Sequence, residues 1–190
     1  MLAREMFFNK KIFFSLFFLL FSSEINATIK QEILSNLKEI DNLQFNFEQN
    51  INGKTENGIC IIKYPKKIHC KYDSNNNKIL VSNGKSLVIK TSNSYYIYPL
   101  KKTPLDFILN KKFILKKIAD SEEQIVNEKY VNFLLTEGEY QINIFFDINS
   151  LNLIGWQTLD IYQNLVITYI SSVIKNQKMK ENLFKIPEQD

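Results

Sequence analysis

Leu43-Gln-Phe-Asn-Phe47, Gly58-Ile-Cys-Ile-Ile-Lys63, Lys67-Ile-His-Cys-Lys-Tyr72, Ile79-Leu-Val81, Leu87-Val-Ile89 and Tyr95-Tyr-Ile-Tyr98 are short apolar runs separated by clusters of Asn, Gly, Ser and Pro. Runs of this length between turn residues spell an antiparallel meander. In the first run Leu43, Phe45 and Phe47 share one face while Gln44, Asn46 and Glu48 share the other, so the strand is half-buried. Asn52-Gly53 and Asn57-Gly58 bracket a polar turn, after which Ile59 to Lys63 returns. If Tyr64-Pro65-Lys66 centres the next reversal, Ile62 faces Ile68 and Cys60 faces Cys70. Directly opposed residues lie about 4.5 to 5.5 Å apart at Cα, within reach of a disulfide. A slip of one residue would instead leave two buried thiols, and the sequence keeps both alternatives open.

Beyond the meander, Asn83-Gly84 is the strongest hairpin signal in the chain. Thr103-Pro104-Leu105 starts a short helix, with Thr103 as its cap and Pro104 at its first position. Leu105, Phe107, Ile108 and Leu109 make that helix strongly apolar, and Phe113 to Ile118 continues it among lysines. Ahead of the meander, Ile29, Ile33, Leu37 and Ile40 recur at helical spacing behind the cap Thr28, which predicts an amphipathic helix over 28–40. Downstream, Val131, Phe133 and Leu135 alternate, and so do Tyr140, Ile142, Ile144 and Phe146. Ile154, Trp156 and Thr158 share a face. The inward set of the last strand is either Val166, Thr168 and Ile170 or Leu165, Ile167 and Tyr169. Lys175 to Lys180 reads as a solvated segment before an apolar clasp, Leu183 to Ile186.

Composition agrees with a β-rich domain. The chain has 190 residues, 45% hydrophobic, with 15 Phe and 9 Tyr against one Trp, which favours strands and apolar cavities over a helical bundle. The net charge of +4 comes from lysines scattered along the sequence, so no nucleic-acid footprint is expected. At the start, Arg4, Lys10 and Lys11 precede the apolar run Ile12 to Phe21, and Ser22 to Ala27 ends on a small residue. This is an export-signal pattern, with cleavage expected after Ala27 and one domain over 28–190. The run is about half of the roughly 20 residues a membrane-spanning helix needs. No Cys stands at the junction to carry a lipid anchor.

Taken in order, Phe47-Glu-Gln49, Gly58, the Pro65 hairpin leading to Tyr72, Ser82-Asn-Gly84 with Leu87, Tyr98-Pro-Leu and Thr103-Pro-Leu105 resemble the periplasmic outer-membrane lipoprotein carrier family, LolA. Gly155-Trp156, Asp160, Asn164 to Ile170 and Leu183-Phe-Lys-Ile-Pro187 resemble its closing segments. The resemblance implies a mostly β fold: a curved, incomplete antiparallel barrel whose concave face is covered by short helices. It further implies a periplasmic chaperone that binds the acyl chains of lipoproteins, neither an enzyme nor a cofactor or metal protein, acting as a monomer between an inner-membrane LolCDE-type releasing transporter and a LolB-like outer-membrane acceptor. On this architecture the acyl-chain cavity is expected from Leu43, Phe45, Phe47, Ile62, Ile68, Tyr72, Leu80, Leu87, Ile89, Tyr96, Tyr98, Tyr140, Ile142, Ile144 and Trp156. The lid is expected from Leu105, Phe107, Ile108 and Leu109. Many members carry Arg just before the hairpin Pro, where this chain has Tyr64. A lipid-sensing or regulatory module on the same fold, or a LolB-like acceptor, is the alternative.

Physical chemistry sets the same requirement. Each methylene leaving a bilayer for water costs roughly 0.8 kcal/mol, so one long chain costs on the order of 10 kcal/mol. A carrier therefore needs a greasy concavity and a means of releasing its cargo. No nucleophile elbow, zinc-protease helix or phosphate-cradling Gly loop is present. His69, between Lys67 and Lys71 on an outward face, reads as a solvated histidine.

Overall fold

The computed structural model describes residues 27–189 except 75 and 161. The export-signal reading of residues 1–26 lies outside the described residues. Helix α1, Ile29–Lys38, opens on a capping box: the Gln31 amide donates to Thr28 Oγ1 at 3.3 Å, and the Thr28 amide donates to Gln31 Oε1 at 3.0 Å. Its stripe buries Ile33 and Leu37.

Eleven strands form one antiparallel sheet: β1 Asn42–Ile51, β2 Lys54–Lys63, β3 Lys67–Tyr72, β4 Ile79–Asn83, β5 Ser86–Lys90, β6 Tyr95–Pro99, β7 Gln124–Val126, β8 Tyr130–Glu137, β9 Tyr140–Asp147, β10 Leu153–Leu159 and β11 Leu165–Lys175. Their order is β6-β5-β4-β3-β2-β1-β11-β10-β9-β8-β7, so β1 and β11 meet in the middle and β6 and β7 are free edges. The result is the open, curved barrel expected from the sequence. Between the two halves run a 3₁₀ turn, Leu100–Lys102, helix α2, Leu105–Ile108, and helix α3, Lys111–Asp120.

The hairpin register pairs Ile62 with Ile68 and Cys60 with Cys70. Cys60 and Cys70 are joined in a disulfide, with Cα atoms 4.0 Å apart. Replacing both by Ala is expected to lower stability by about 2 to 3 kcal/mol, because this bond closes a short loop in the unfolded chain. An unchanged urea midpoint would remove the bond from the stabilising set.

Several local expectations are corrected. The turn is only Asn52-Gly53, whose positive φ values of 49° and 85° suit a two-residue hairpin. Asn57-Gly58 therefore lies inside β2. Thr103 does not cap α2; its Oγ1 turns back to the Leu100 carbonyl at 2.8 Å, and Pro104 takes the cap position without a side-chain bond. Helix α3 is separate and is capped by Asn110. In β10 a bulge at Ile154 changes the facing: Leu153 pairs with Phe146, and Trp156 and Thr158 with Ile144 and Ile142. Leu153, not Ile154, thus shares the inner face. On β11 the inner set is Val166, Thr168 and Ile170.

Asn176 and Gln177, read as solvated, instead tie the end of β11 to the start of β1. Asn176 Oδ1 accepts from the Asp41 amide at 2.8 Å, and Asn42 exchanges two bonds with the Gln177 backbone. Further on, the 3₁₀ turn Glu181–Phe184 packs against β3 and β4 on their outer face, burying Phe184. His69 stands on that outer face half-buried rather than solvated, and desolvation lowers its pKa.

Candidate functional site

The inner face of the sheet divides into two regions. Beside the helices it is filled: Ile33, Leu37, Leu109, Ile114 and Ile118 join Leu43, Phe45, Ile62, Phe133, Ile142 and Ile144 in one packed cluster. Phe45 meets Trp156 edge-on with ring centres 6.2 Å apart. Further along the same strands, between the sheet and α2, a cavity of about 220 Å³ opens.

Of the sequence-predicted residues, Phe47, Ile68, Tyr72, Leu80, Leu87, Ile89, Tyr98 and Trp156 line this cavity. Leu43, Phe45, Ile62, Ile142 and Ile144 belong to the packed core. Tyr140 packs against Phe107 with tilted rings whose centres lie 5.2 Å apart, and it does not line the cavity. Tyr96 pairs with Ile89, but lies on the edge strand, 52% exposed and off the wall. From the lid set, Leu105 and Ile108 face the cavity, Leu109 is fully buried in the core, and Phe107 packs on Phe113 with ring centres 4.9 Å apart.

Sequence reasoning missed part of the wall. Cys60 and Cys70 carry their disulfide on it, and Ile51, Leu159 and Val166 complete its apolar surface. The alternation of β1 already pointed Ile51 inward with Phe47, whereas the choice of Val166 needed the register of β11.

Several polar side chains on the wall are partnered within the protein. Gln49 Nε2 donates to Thr168 Oγ1 at 3.0 Å. At the mouth, Lys78 Nζ lies 2.6 Å from Glu56 Oε2 and 4.1 Å from the centre of the Tyr72 ring. Burial, and secondarily the Glu56 charge, push the Tyr72 phenol up, so it stays neutral. The neighbouring Tyr162 hydroxyl, and secondarily desolvation, raise the Tyr98 pKa. Asp160 accepts from the Tyr162 and Asn164 amides at 2.8 and 2.9 Å. A wall that is mostly apolar, with its charged groups Lys78 and Asp160 engaged by protein partners, favours hydrocarbon.

Outside the cavity, Lys66 of the β2–β3 hairpin holds the lid. Lys66 Nζ contacts both carboxylate oxygens of Asp106 on α2, at 2.8 and 3.1 Å, and the Lys66 amide donates to the Leu109 carbonyl at 2.8 Å. Ser82 Oγ holds the Lys66 carbonyl at 3.1 Å. Tyr64 does not reach the lid residue Asp106; it packs against the core beside Lys111, and burial pushes its phenol up to about 12. Residues 66 and 106 are too far apart in sequence for periodicity to pair them.

An open antiparallel sheet wrapped around a lidded apolar cavity defines a protein that binds hydrophobic ligands. The sequence model of the outer membrane lipoprotein carrier protein LolA matches residues 38–187, and the chain belongs to that family. Proteins of this family are periplasmic. No curated protein matches in sequence. Among solved structures, an uncharacterized conserved protein from Thermus thermophilus has a TM-score of 0.50 at 10% identity, covering 86% of this chain and 96% of the other. A LolA superfamily protein from Nitrosomonas europaea has 0.42 at 10% identity, over 84% and 99%. A putative outer membrane lipoprotein-sorting protein domain from Vibrio parahaemolyticus has 0.45 at 9% identity, over 81% and 95%. Among the described residues no helix is long and apolar enough to cross a membrane.

Proposed function

We propose that this protein is exported through a cleaved signal and, as a monomer, carries the acyl chains of lipoproteins across the periplasm, taking them from a LolCDE-type transporter and yielding them to a LolB-like acceptor. The observation that carries this reading is the pairing of an apolar wall with a short lid that an ion pair ties to the β2–β3 hairpin. At about 220 Å³ the cavity is below the roughly 300 to 1,000 Å³ of pre-formed ligand sites, so loading requires the lid to move. Leu105 and Ile108 then leave the wall and an acyl chain replaces them. Helix α2 is four residues long and carries no side-chain cap, so little of its own structure opposes the movement.

Purification from the periplasm followed by mass spectrometry is expected to find acylated peptides bound, and the protein is expected to remove lipoproteins from inner-membrane vesicles. Absence of both would defeat the reading; bound lipid without peptide would favour a lipid sensor.

Asp106→Ala supplies a separate test of the lid. The ion pair is partly exposed and contributes on the order of 1 kcal/mol to closure. Its loss is expected to leave the fold intact, to speed uptake of a fluorescent acyl probe, and to tighten binding about fivefold by removing the cost of opening. Unchanged uptake kinetics would show that Lys66 does not hold the lid.

A further inference from the structure

Six lysines scattered along the sequence are gathered by the fold at one end of the molecule. Lys63 and Lys67 face each other directly across the β2–β3 hairpin. Lys67 also pairs with Asn83, beside the β4–β5 turn that carries exposed Lys85. The Lys85 carbonyl accepts from the Leu100 amide at 2.9 Å, which sets exposed Lys101 and Lys102 next to it. The bond from the Lys66 amide to the Leu109 carbonyl brings exposed Lys112 to the same end.

Acids do not neutralise this collar. Asp106 is engaged by Lys66, and Asp41 lies 3.7 Å from Lys111. Lys63, Lys67, Lys85, Lys101, Lys102 and Lys112 make no ion pair among the described residues. Like charges directly opposed on neighbouring strands oppose folding, so the placement of Lys63 against Lys67 does not serve stability. The collar flanks the lid on both sides, with Lys101 and Lys102 before α2 and Lys112 after it.

We infer that this collar docks the lid end of the protein on an anionic phospholipid surface. Clustered ammonium groups are drawn to lipid phosphates, each strengthening partition by roughly fivefold near an anionic bilayer. Docking by this end holds α2, the lid, at the bilayer surface, where a releasing transporter or an acceptor is embedded. The choice of a membrane over an acidic protein rests on the acyl-chain reading above; the gathering of charge does not.

Co-sedimentation of the protein with vesicles tests this, using phosphatidylglycerol and phosphatidylcholine in equal parts against phosphatidylcholine alone. Binding to the anionic vesicles only is expected, falling more than tenfold as salt rises from about 50 to about 500 mM. The combined variant Lys63→Gln, Lys67→Gln, Lys101→Gln, Lys102→Gln is expected to bind at least a hundredfold more weakly, and the corresponding Arg variant like wild type. Lys54→Gln, Lys71→Gln, Lys129→Gln, Lys178→Gln, which removes the same charge elsewhere, is expected to change binding by less than threefold. Equal binding to neutral vesicles, an equal loss in the second Gln set, or no binding at low salt would overturn the proposal; the last is the outcome if the collar serves an acidic protein. Uptake of a fluorescent acyl probe in solution is measured on the same samples, so that failure of the carrier reading shows as lost uptake with vesicle binding intact.

Discussion

Ile89→Glu is expected to fold with its disulfide intact and to bind a fluorescent acyl probe at least a hundredfold more weakly than wild type. Ile89 lines the cavity, yet is only partly buried, so a longer side chain is accommodated when the site is empty. A bound chain would remove water from the new carboxylate, at a cost of several kcal/mol unless it takes up a proton. The sign of the pH dependence follows. Desolvation raises a carboxyl pKa, so the occupied site favours the protonated form, and affinity is expected to recover as pH falls through that raised value. Wild-type protein should show no such recovery. Undiminished affinity in Ile89→Glu at neutral pH would mean that hydrocarbon does not enter this cavity, and the carrier reading would fall with it.

The second large effect is expected at Gly58, in stability. Gly58 pairs with Phe47 on one side and Tyr72 on the other. Because it has no side chain, the two rings meet across β2, edge to face with centres 4.9 Å apart. A Cβ here would lie 2.8 Å from Phe47 Cε1 and 2.9 Å from Tyr72 Cα, and would also meet the Lys71 carbonyl oxygen. Two of these three atoms are backbone of a hydrogen-bonded neighbour and cannot step aside. Gly58→Ala is therefore expected to cost about 3 kcal/mol, the upper part of the usual range for overpacking, and to disturb the cavity wall at Phe47. A urea midpoint within error of wild type would show that β2 and β3 separate more freely than their register suggests.

Most of the sheet was legible because strand pairing here is local. Alternation fixed the inward face of Leu43, Phe45 and Phe47, and one assumption about Pro65 fixed the pairs Ile62–Ile68 and Cys60–Cys70. The site was less legible because the same alternation encodes both a packed core and a cavity wall. Phe45 and Phe47 carry the same signal two residues apart, and what separates them is how far the helices extend over the sheet. That boundary is tertiary, and so is the pairing of Lys66 with Asp106. The bulge at Ile154 was hidden for another reason: an extra residue leaves composition unchanged while it reverses the facing of every position before it.

The meeting of β1 with β11 at the centre of the sheet also bears on how the protein forms. Within each half, successive strands are joined to their sequence neighbours, so their contacts close short stretches of chain. Phe47 against Ile170 and Asp41 against Asn176 join segments more than a hundred residues apart. Loop closure over that span is entropically the most demanding step and is slow where non-local pairing dominates. The two meanders are thus expected to gain structure first, and the last hydrogen bonds to form are those in the middle of the sheet rather than at its edges.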